Sequence, residues 1–228
     1  KLQNQNELTI QADAGRTTSV LGGTGAQLIN SAKLTKTGAG TGTISSELVN
    51  DGQLLVSGGR LILQGRSTHS AGSSFSGAGT LELSAVTTST PVEHSFADGF
   101  STDIGLLSMS LNSAARMVVD SGTVRVANFT QATGQVKGAG QLILGQASLA
   151  GTQTGTGTTV LSNGGNHTIG NNLTLSGGRT LRNEGSLTIG RANGDSVVTL
   201  DGSSLSGPAA KLQNQNELTI QADAGRTT

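Results

Sequence analysis

The chain has 228 residues, enough for one sizeable core, yet only 33% are hydrophobic and 2% aromatic, with no tyrosine, tryptophan or cysteine. Fourteen Lys/Arg balance fourteen Asp/Glu, without the basic clusters or interleaved aromatics that nucleic-acid binding needs. Disulfides and thiol chemistry are excluded, and no run reaches the roughly 18 apolar residues of a membrane span.

Glycine, serine, threonine and asparagine dominate, a composition that also occurs in disordered chains. Disorder usually brings high charge or many prolines, and here charged residues are 12% with two prolines. Leu, Ile and Val recur instead in alternating strings, which predicts β structure. A globular sandwich needs a thicker, more aromatic core. A solenoid has a narrow core and lets stacked coils satisfy the backbone. The predicted fold class is therefore all-β: a right-handed single-stranded parallel β-helix (β-solenoid) of about ten coils, roughly 22 residues each.

In chain order, a first motif alternates an aliphatic, Asn or Asp, Gly or Asn, then two aliphatics. It opens the chain at Leu2, Asn4, Asn6, Leu8 and Ile10, and recurs at Leu48, Asn50, Gly52, Leu54 and Val56. Further copies read Val118, Asp120, Gly122, Val124, Val126, then Leu181, Asn183, Gly185, Leu187, Ile189, then Leu212, Asn214, Asn216, Leu218, Ile220. Alternation sends one side chain in and the next out. The Asn/Asp-x-Gly/Asn centre tolerates a bend. A second motif sets a glycine pair before a strand: Phe75, Gly77, Gly79, Leu81, Leu83, and Val136, Gly138, Gly140, Leu142, Leu144, with a degenerate copy from Gly38 to Ile44. No helix-period segment follows these glycines, so they are not a phosphate loop. They predict close stacking at a corner. The inward set is then Leu54, Val56, Leu81, Leu83, Val124, Val126, Leu142, Leu144, Leu187 and Ile189.

First-motif copies are 46, 70, 63 and 31 residues apart. The first three intervals fit two, three and three coils. The last requires an enlarged loop or a motif moved to another face. Residues 85–110 break the pattern with Pro91, His94, Phe96 and Phe100. Two readings apply: a loop excursion whose His94, Phe96 and Phe100 form a candidate binding loop, or aromatics covering a local gap in the stack, which is the simpler. Gly151 to Thr159 lacks apolar anchors and predicts an exposed corner. Asn166, Asn171 and Asn172 are turn residues or an internal asparagine ladder. The sequons Asn128-Phe-Thr130, Asn166-His-Thr168 and Asn172-Leu-Thr174 are expected by chance in so Asn- and Thr-rich a chain.

Catalysis is not expected. β-Helix lyases and hydrolases need close carboxylates and commonly aromatic platforms, and the acids here are thinly spread. His69, His94 and His167 are far apart in sequence, so neither a metal nor any other cofactor is expected. The enzymatic alternative is a polysaccharide-active β-helix.

The strings Leu48-Val-Asn-Asp-Gly-Gln-Leu-Leu-Val56, Gly77-Ala-Gly-Thr-Leu-Glu-Leu83 and Leu181-Arg-Asn-Glu-Gly-Ser-Leu-Thr-Ile189 resemble coils of filamentous-haemagglutinin-type adhesins and autotransporter passengers of Gram-negative bacteria. The resemblance covers most of the chain outside residues 85–110. It implies a secreted, cell-surface stalk serving adhesion, aggregation or biofilm formation, with a host-cell or glycan ligand it does not name. It carries over no catalytic residue.

One repeat is longer. Residues 1–18 and 211–228 are identical, an offset of 210 residues. The expectation is a tandem unit over residues 1–210, with 211–228 starting the next, against the alternative of an artificially duplicated edge. The expected partner is an adjacent copy of the same repeat, in one polypeptide or end to end.

Overall fold

The structure is a computed structural model that describes residues 1–23, 25–86, 90–102, 108–112, 114–190, 194–202 and 208–221. Among these, every regular element is a strand and every strand pairing is parallel. The chain winds as a β-solenoid. Its first face is a ladder of ten strands from Leu2–Asn4 to Val198–Leu200, so the inner eight turns have a neighbour on both sides.

Three faces make up a turn. In the first rung they are Leu2–Asn4, Glu7–Gln11 and Thr17–Val20. In rungs 6 and 7 the strands Thr123–Gln131 and Gln141–Leu149 run on across the corner between the second and third faces. The two faces separate again at Thr158–Leu161 and Asn166–Ile169.

Alternation dictates the core. Leu54, Val56, Leu81, Leu83, Val124, Val126, Leu142, Leu144, Leu187 and Ile189 all face inward and are buried, as period two requires. Each also stacks on its register partner one coil away, for example Leu54 on Leu34 and Leu187 on Leu218.

The corners are of two kinds. At the asparagine corner, Asn30 and Asn50 take inward positions and four residues carry the chain to Leu34 and Leu54. The Asn4 amide donates to the Asn30 Oδ1 at 2.7 Å, and Asn30 donates to Asn50 at the same distance. Each amide also donates across the turn, Asn4 to the Lys33 carbonyl and Asn30 to the Gln53 carbonyl. Buried amides thus satisfy carbonyls that the bend removes from the sheet. Asn183 repeats the arrangement with Asn214 at 2.7 Å and the Glu217 carbonyl. The ladder is therefore built by Asn4, Asn30 and Asn50, and by Asn183 and Asn214. Asn166, Asn171 and Asn172 lie at the surface.

At the glycine corner the coils approach too closely for a side chain. Gly77 and Gly138 have φ of 119° and 110°, and a Cβ on either would stand 2.1 Å from the carbonyl oxygen of Val56 or Val119. Beside these corners lies a buried cation. Lys36 donates to the Thr37, Gly38 and Gly58 carbonyls. Arg179 donates to the Gly138 carbonyl and to Thr159 Oγ1. Burial lowers both pKa values, that of Arg179 to about 10.

Two expectations need correction. The copy beginning at Val118 is not an asparagine corner. Met117 and Val119 continue the columns of Leu48 and Asn50, and Asp120 is exposed just past the strand, before the bend at Ser121 and Gly122. The chain takes five residues from Val119 to Val124, the same step as from Val56 to Leu61. Second, Gly151 to Thr159 is not an exposed corner. Gly151–Gln153 is a first-face strand, and Gln153 and Thr159 point inward, hydrogen-bonded to each other and, through Gln131, to the neighbouring coil. Polar inward residues replace the apolar anchors there. The interval of 31 residues is resolved as well. Leu181 and Leu212 are register partners on adjacent rungs, and both lie on the second face rather than on the first, where Leu2 and Leu48 lie.

Candidate functional site

The candidate binding loop turns into the core. His94, Phe96 and Phe100 are each at most 3% exposed. Val92–Phe96 is a regular first-face strand between Ser67–His69 and Ala115–Val119. Its alternation sends His94 and Phe96 inward, where they meet residues the sequence left far apart. The His69 ring stacks on Phe96 at 4.7 Å and meets Phe75 edge-on at 4.6 Å. Phe100 stands 4.8 Å from both Phe75 and Phe96. Three of the four phenylalanines thus fill one segment of the stack. Part of the interval lies outside the described residues, including Asp103, Ile104, Leu106 and Leu107; the coil rejoins at Ser108–Leu111.

Two histidines that appear unrelated in sequence are also brought together. Ser67 Oγ lies 2.9 Å from His69 Nε2 and 2.8 Å from His94 Nδ1, and His94 Nε2 lies 3.1 Å from the Ser84 carbonyl. A carbonyl only accepts, so His94 Nε2 carries a proton and Nδ1 accepts from the serine hydroxyl. The hydroxyl oxygen then accepts from His69 Nε2. Both rings are neutral. Burial pushes His69 down to about 3, with His94 nearby adding to the effect, and pushes His94 down to about 4 against the hydrogen bond to Ser84. A serine between two imidazoles has the parts of a nucleophile and base. With all three residues fully buried, no substrate reaches it, and the cluster is packing.

The exposed chemistry lies on the third face. Thr130, Ser148, Thr168, Thr188 and Thr219 form one register column over five successive rungs. Beside it run Asn128, Gln146, Asn166, Ser186 and Glu217. The residue between each pair points inward: Phe129, Ala147, His167, Leu187 and Leu218. Two shallow depressions of about 270 and 370 Å³ open here, lined by Asn128, Gln146, Asn166 and their neighbours. Thus two of the sequons, at Asn128 and Asn166, mark this face: polar-x-Ser/Thr is the outward-inward-outward signature of each rung. The surface offers hydroxyl and carboxamide groups at coil spacing, about 4.8 Å, and can hydrogen-bond a polyhydroxylated ligand or another chain.

Four carboxylates elsewhere are paired with cations. Glu82 pairs with Arg60, Glu184 with Arg182, and Glu7 with Lys33. The Lys137 ammonium, 2.7 Å from Glu93, holds that carboxyl below its ordinary range, aided by Arg116. Among the described residues no group of three His, Cys, Asp or Glu is placed to hold a metal ion, and no helix is long and apolar enough to cross a membrane. No protein-family model, curated protein or solved structure matches the chain.

Proposed function

We propose that the protein is a structural shaft of a secreted bacterial surface adhesin or fibre, supporting adhesion, aggregation or biofilm formation. One observation carries this reading. The same eleven residues, Lys1 to Gln11 and Lys211 to Gln221, form part of the first rung and of the last. They pair through one edge at the start, Leu2 with Leu28, and through the other at the end, Leu212 with Leu181. One segment accepts a coil on either side, so the stack is extendable by whole repeats. An extendable rod with a buried polar spine and outer columns made mostly of hydroxyl and carboxamide groups suits a spacer that projects from a surface.

Electron microscopy of the native polypeptide tests the reading. The expected image is a thin unbranched rod lengthening by roughly 45 Å per 210 residues. Beads on flexible linkers would overturn it. Displayed on cells, the rod is expected to promote aggregation, and turnover of a polysaccharide would favour the lyase or hydrolase alternative instead.

A further inference from the structure

The repeated segment returns to the stack on a different face. Leu2–Asn4 lies on the first face of rung 1 and Glu7–Gln11 on the second. Lys211–Asn214 lies on the second face of rung 10, in the column of Leu142, Thr159 and Leu181. Glu217–Ile220 lies on the third, in the column of Thr168 and Thr188. Between the two copies the chain completes nine turns and one further face, so 210 residues do not make a whole number of turns.

The corners show that this advance is built in. Asn183, in rung 9, already stands at the corner between the second and third faces. It gives its amide to Asn214 Oδ1 and to the Glu217 carbonyl, as Asn4 gives its own to Asn30 Oδ1 and to the Lys33 carbonyl. The second copy therefore enters on an asparagine corner that the preceding rung supplies. On its original face it would meet the other kind. Gly155 and Gly177 carry the corner between the first and second faces in rungs 8 and 9. A Cβ on Gly155 would stand 2.6 Å from the Gly138 carbonyl oxygen, and one on Gly177 would stand 3.0 Å from the Gly155 nitrogen. That corner holds no asparagine to pair with Asn214, and its coils stack too closely for a side chain. The exchange of corners inside one unit and the displacement of the next are the same step of a single face.

Resting on the shaft reading, we infer that each 210-residue unit continues the stack within one polypeptide turned by one face, a third of a turn, from the unit before it. Lys211–Gln221 is then the opening coil of the next unit, with Asn214 in the place of Asn4. The asparagine ladder runs from Asn183 through Asn214 into the next copies of Asn30 and Asn50. The outer hydroxyl column of Thr130, Ser148, Thr168, Thr188 and Thr219 crosses the junction too. Thr219 repeats Thr9, whose column continues to Thr35 and then Leu55, so the hydroxyl run gains the copy of Thr35 and stops at the copy of Leu55. The hydroxyl and carboxamide columns of successive units point in three directions in turn. Every third unit faces the same way, about 135 Å further along the axis. A partner that engages this surface meets it from every side of the shaft, at that spacing on any one side.

Two measurements test the advance. Within this chain, whose sequence holds no cysteine, disulfide linkage reads the face on which the second copy sits. Register partners on adjacent parallel strands are about 5 Å apart, within disulfide range. Thr188→Cys with Thr219→Cys reports the advanced position. Thr199→Cys with Lys211→Cys reports the original one, in which Leu212 would stack on Leu200 as Leu28 stacks on Leu2. All four positions face outward, and β-type circular dichroism checks folding. Under mild oxidation the first pair is expected to close about tenfold or more faster than the second. Equal or faster closure of the second pair overturns the advance, and so does failure of both pairs in folded protein. Helical reconstruction of the native polypeptide then reads the rotation between units. A third of a turn with each step of roughly 45 Å is expected, and units related by translation alone overturn the inference while leaving the shaft standing. Beads on linkers defeat the shaft itself.

Discussion

The two halves of the solenoid use the same two corners in opposite order. In rungs 1 to 3 the asparagine corner joins the first and second faces, and glycine corners join the second and third, for example at Gly38 in rung 2 and Gly77 in rung 4. In rungs 7 and 8 the glycine corner, at Gly138 and Gly155, joins the first and second faces, and in rungs 9 and 10 the asparagine corner joins the second and third at Asn183 and Asn214. The exchange is made in rungs 4 to 6, where His69, Phe75, Phe96 and Phe100 replace the aliphatic stack. Each corner needs its own vertical neighbours: amide under amide, glycine over carbonyl. Neither ladder therefore fades out gradually. The first ends abruptly at Asn50, whose register partner is His69, and the largest side chains fill the mismatch. The corner is thus the transferable unit of this fold, and the face it occupies is set by its neighbours along the axis.

The strongest way to break this equivalence is to charge the strand that follows each asparagine corner. Leu54→Asp in the first half and Leu187→Asp in the second each place an unpaired carboxylate in a dry, fully buried site. Each is expected to cost about 4 kcal/mol or more in urea unfolding, whereas Gln53→Asp, an exposed position one residue away, is expected to be nearly silent. A loss confined to one half contradicts the equivalence, and equal losses at Gln53 and Leu54 contradict the register.

Acid is expected to attack the join before either half. The folded-state pKa values of His69 and His94 lie below their ordinary value of 6.5, at about 3 and about 4. Between those values and 6.5 the unfolded chain binds the protons. Their contribution is complete above pH 6.5 and declines as pH falls, by about 1.4 kcal/mol per pH unit for each histidine. Hydrogen exchange followed from pH 7 to 4 is expected to open rungs 4 to 6 first. A melting temperature flat across that range would refute the assignment of neutral, buried rings.

Much of this was legible in the sequence, and the limits of legibility have physical causes. Period-two alternation identified the inward residues because it is the same on every face. For that reason it could not tell which face a strand belongs to. Val118 was misread because a five-residue glycine corner and a four-residue asparagine corner differ by one residue, enough to exchange inside and outside. His69 and His94 meet only because the coil joining them returns their strands to adjacent rungs, and Ser67 between them carries no sequence signature. Gln153 and Thr159 fall in a stretch whose lack of apolar anchors predicts an exposed corner, and nothing in the sequence marks Arg179; only the hydrogen bonding among the three makes them core. The third-face columns were present as sequons, visible as a motif but not as a surface.

Glycine corners sharpen the comparison at intermediate cost. Gly77→Ala and Gly138→Ala each force a Cβ against a carbonyl one coil below, at a φ that L-residues rarely adopt. Both are expected to lose about 2 to 4 kcal/mol. Gly72→Ala shares a positive φ of 83° but meets nothing within 4 Å, and is expected to lose only about 1 kcal/mol. Similar losses at all three positions would mean that backbone conformation, and not the approach of the coils, fixes the glycines.

The smallest effect separates the middle of an asparagine ladder from its end. Asn30 accepts from Asn4 and donates to both Asn50 and the Gln53 carbonyl. Replacing it by leucine of similar volume removes all three bonds, takes from the Asn4 amide its nearest acceptor and leaves Asn50 Oδ1 without its donor, for an expected loss of about 1 to 3 kcal/mol. Asn50 accepts the Asn30 amide, but its own buried Nδ2 has no partner, and neither has the Nδ1 of its register neighbour His69. Asn50→Leu removes one bond but also an unsatisfied buried donor, and Asn30 keeps its second acceptor in the Gln53 carbonyl. The two terms oppose, and the expected change is under about 1 kcal/mol in either direction. If Asn50→Leu costs as much as Asn30→Leu, the ladder does not end at Asn50 but continues into the histidine cluster, and the boundary between the halves belongs one rung further along the axis.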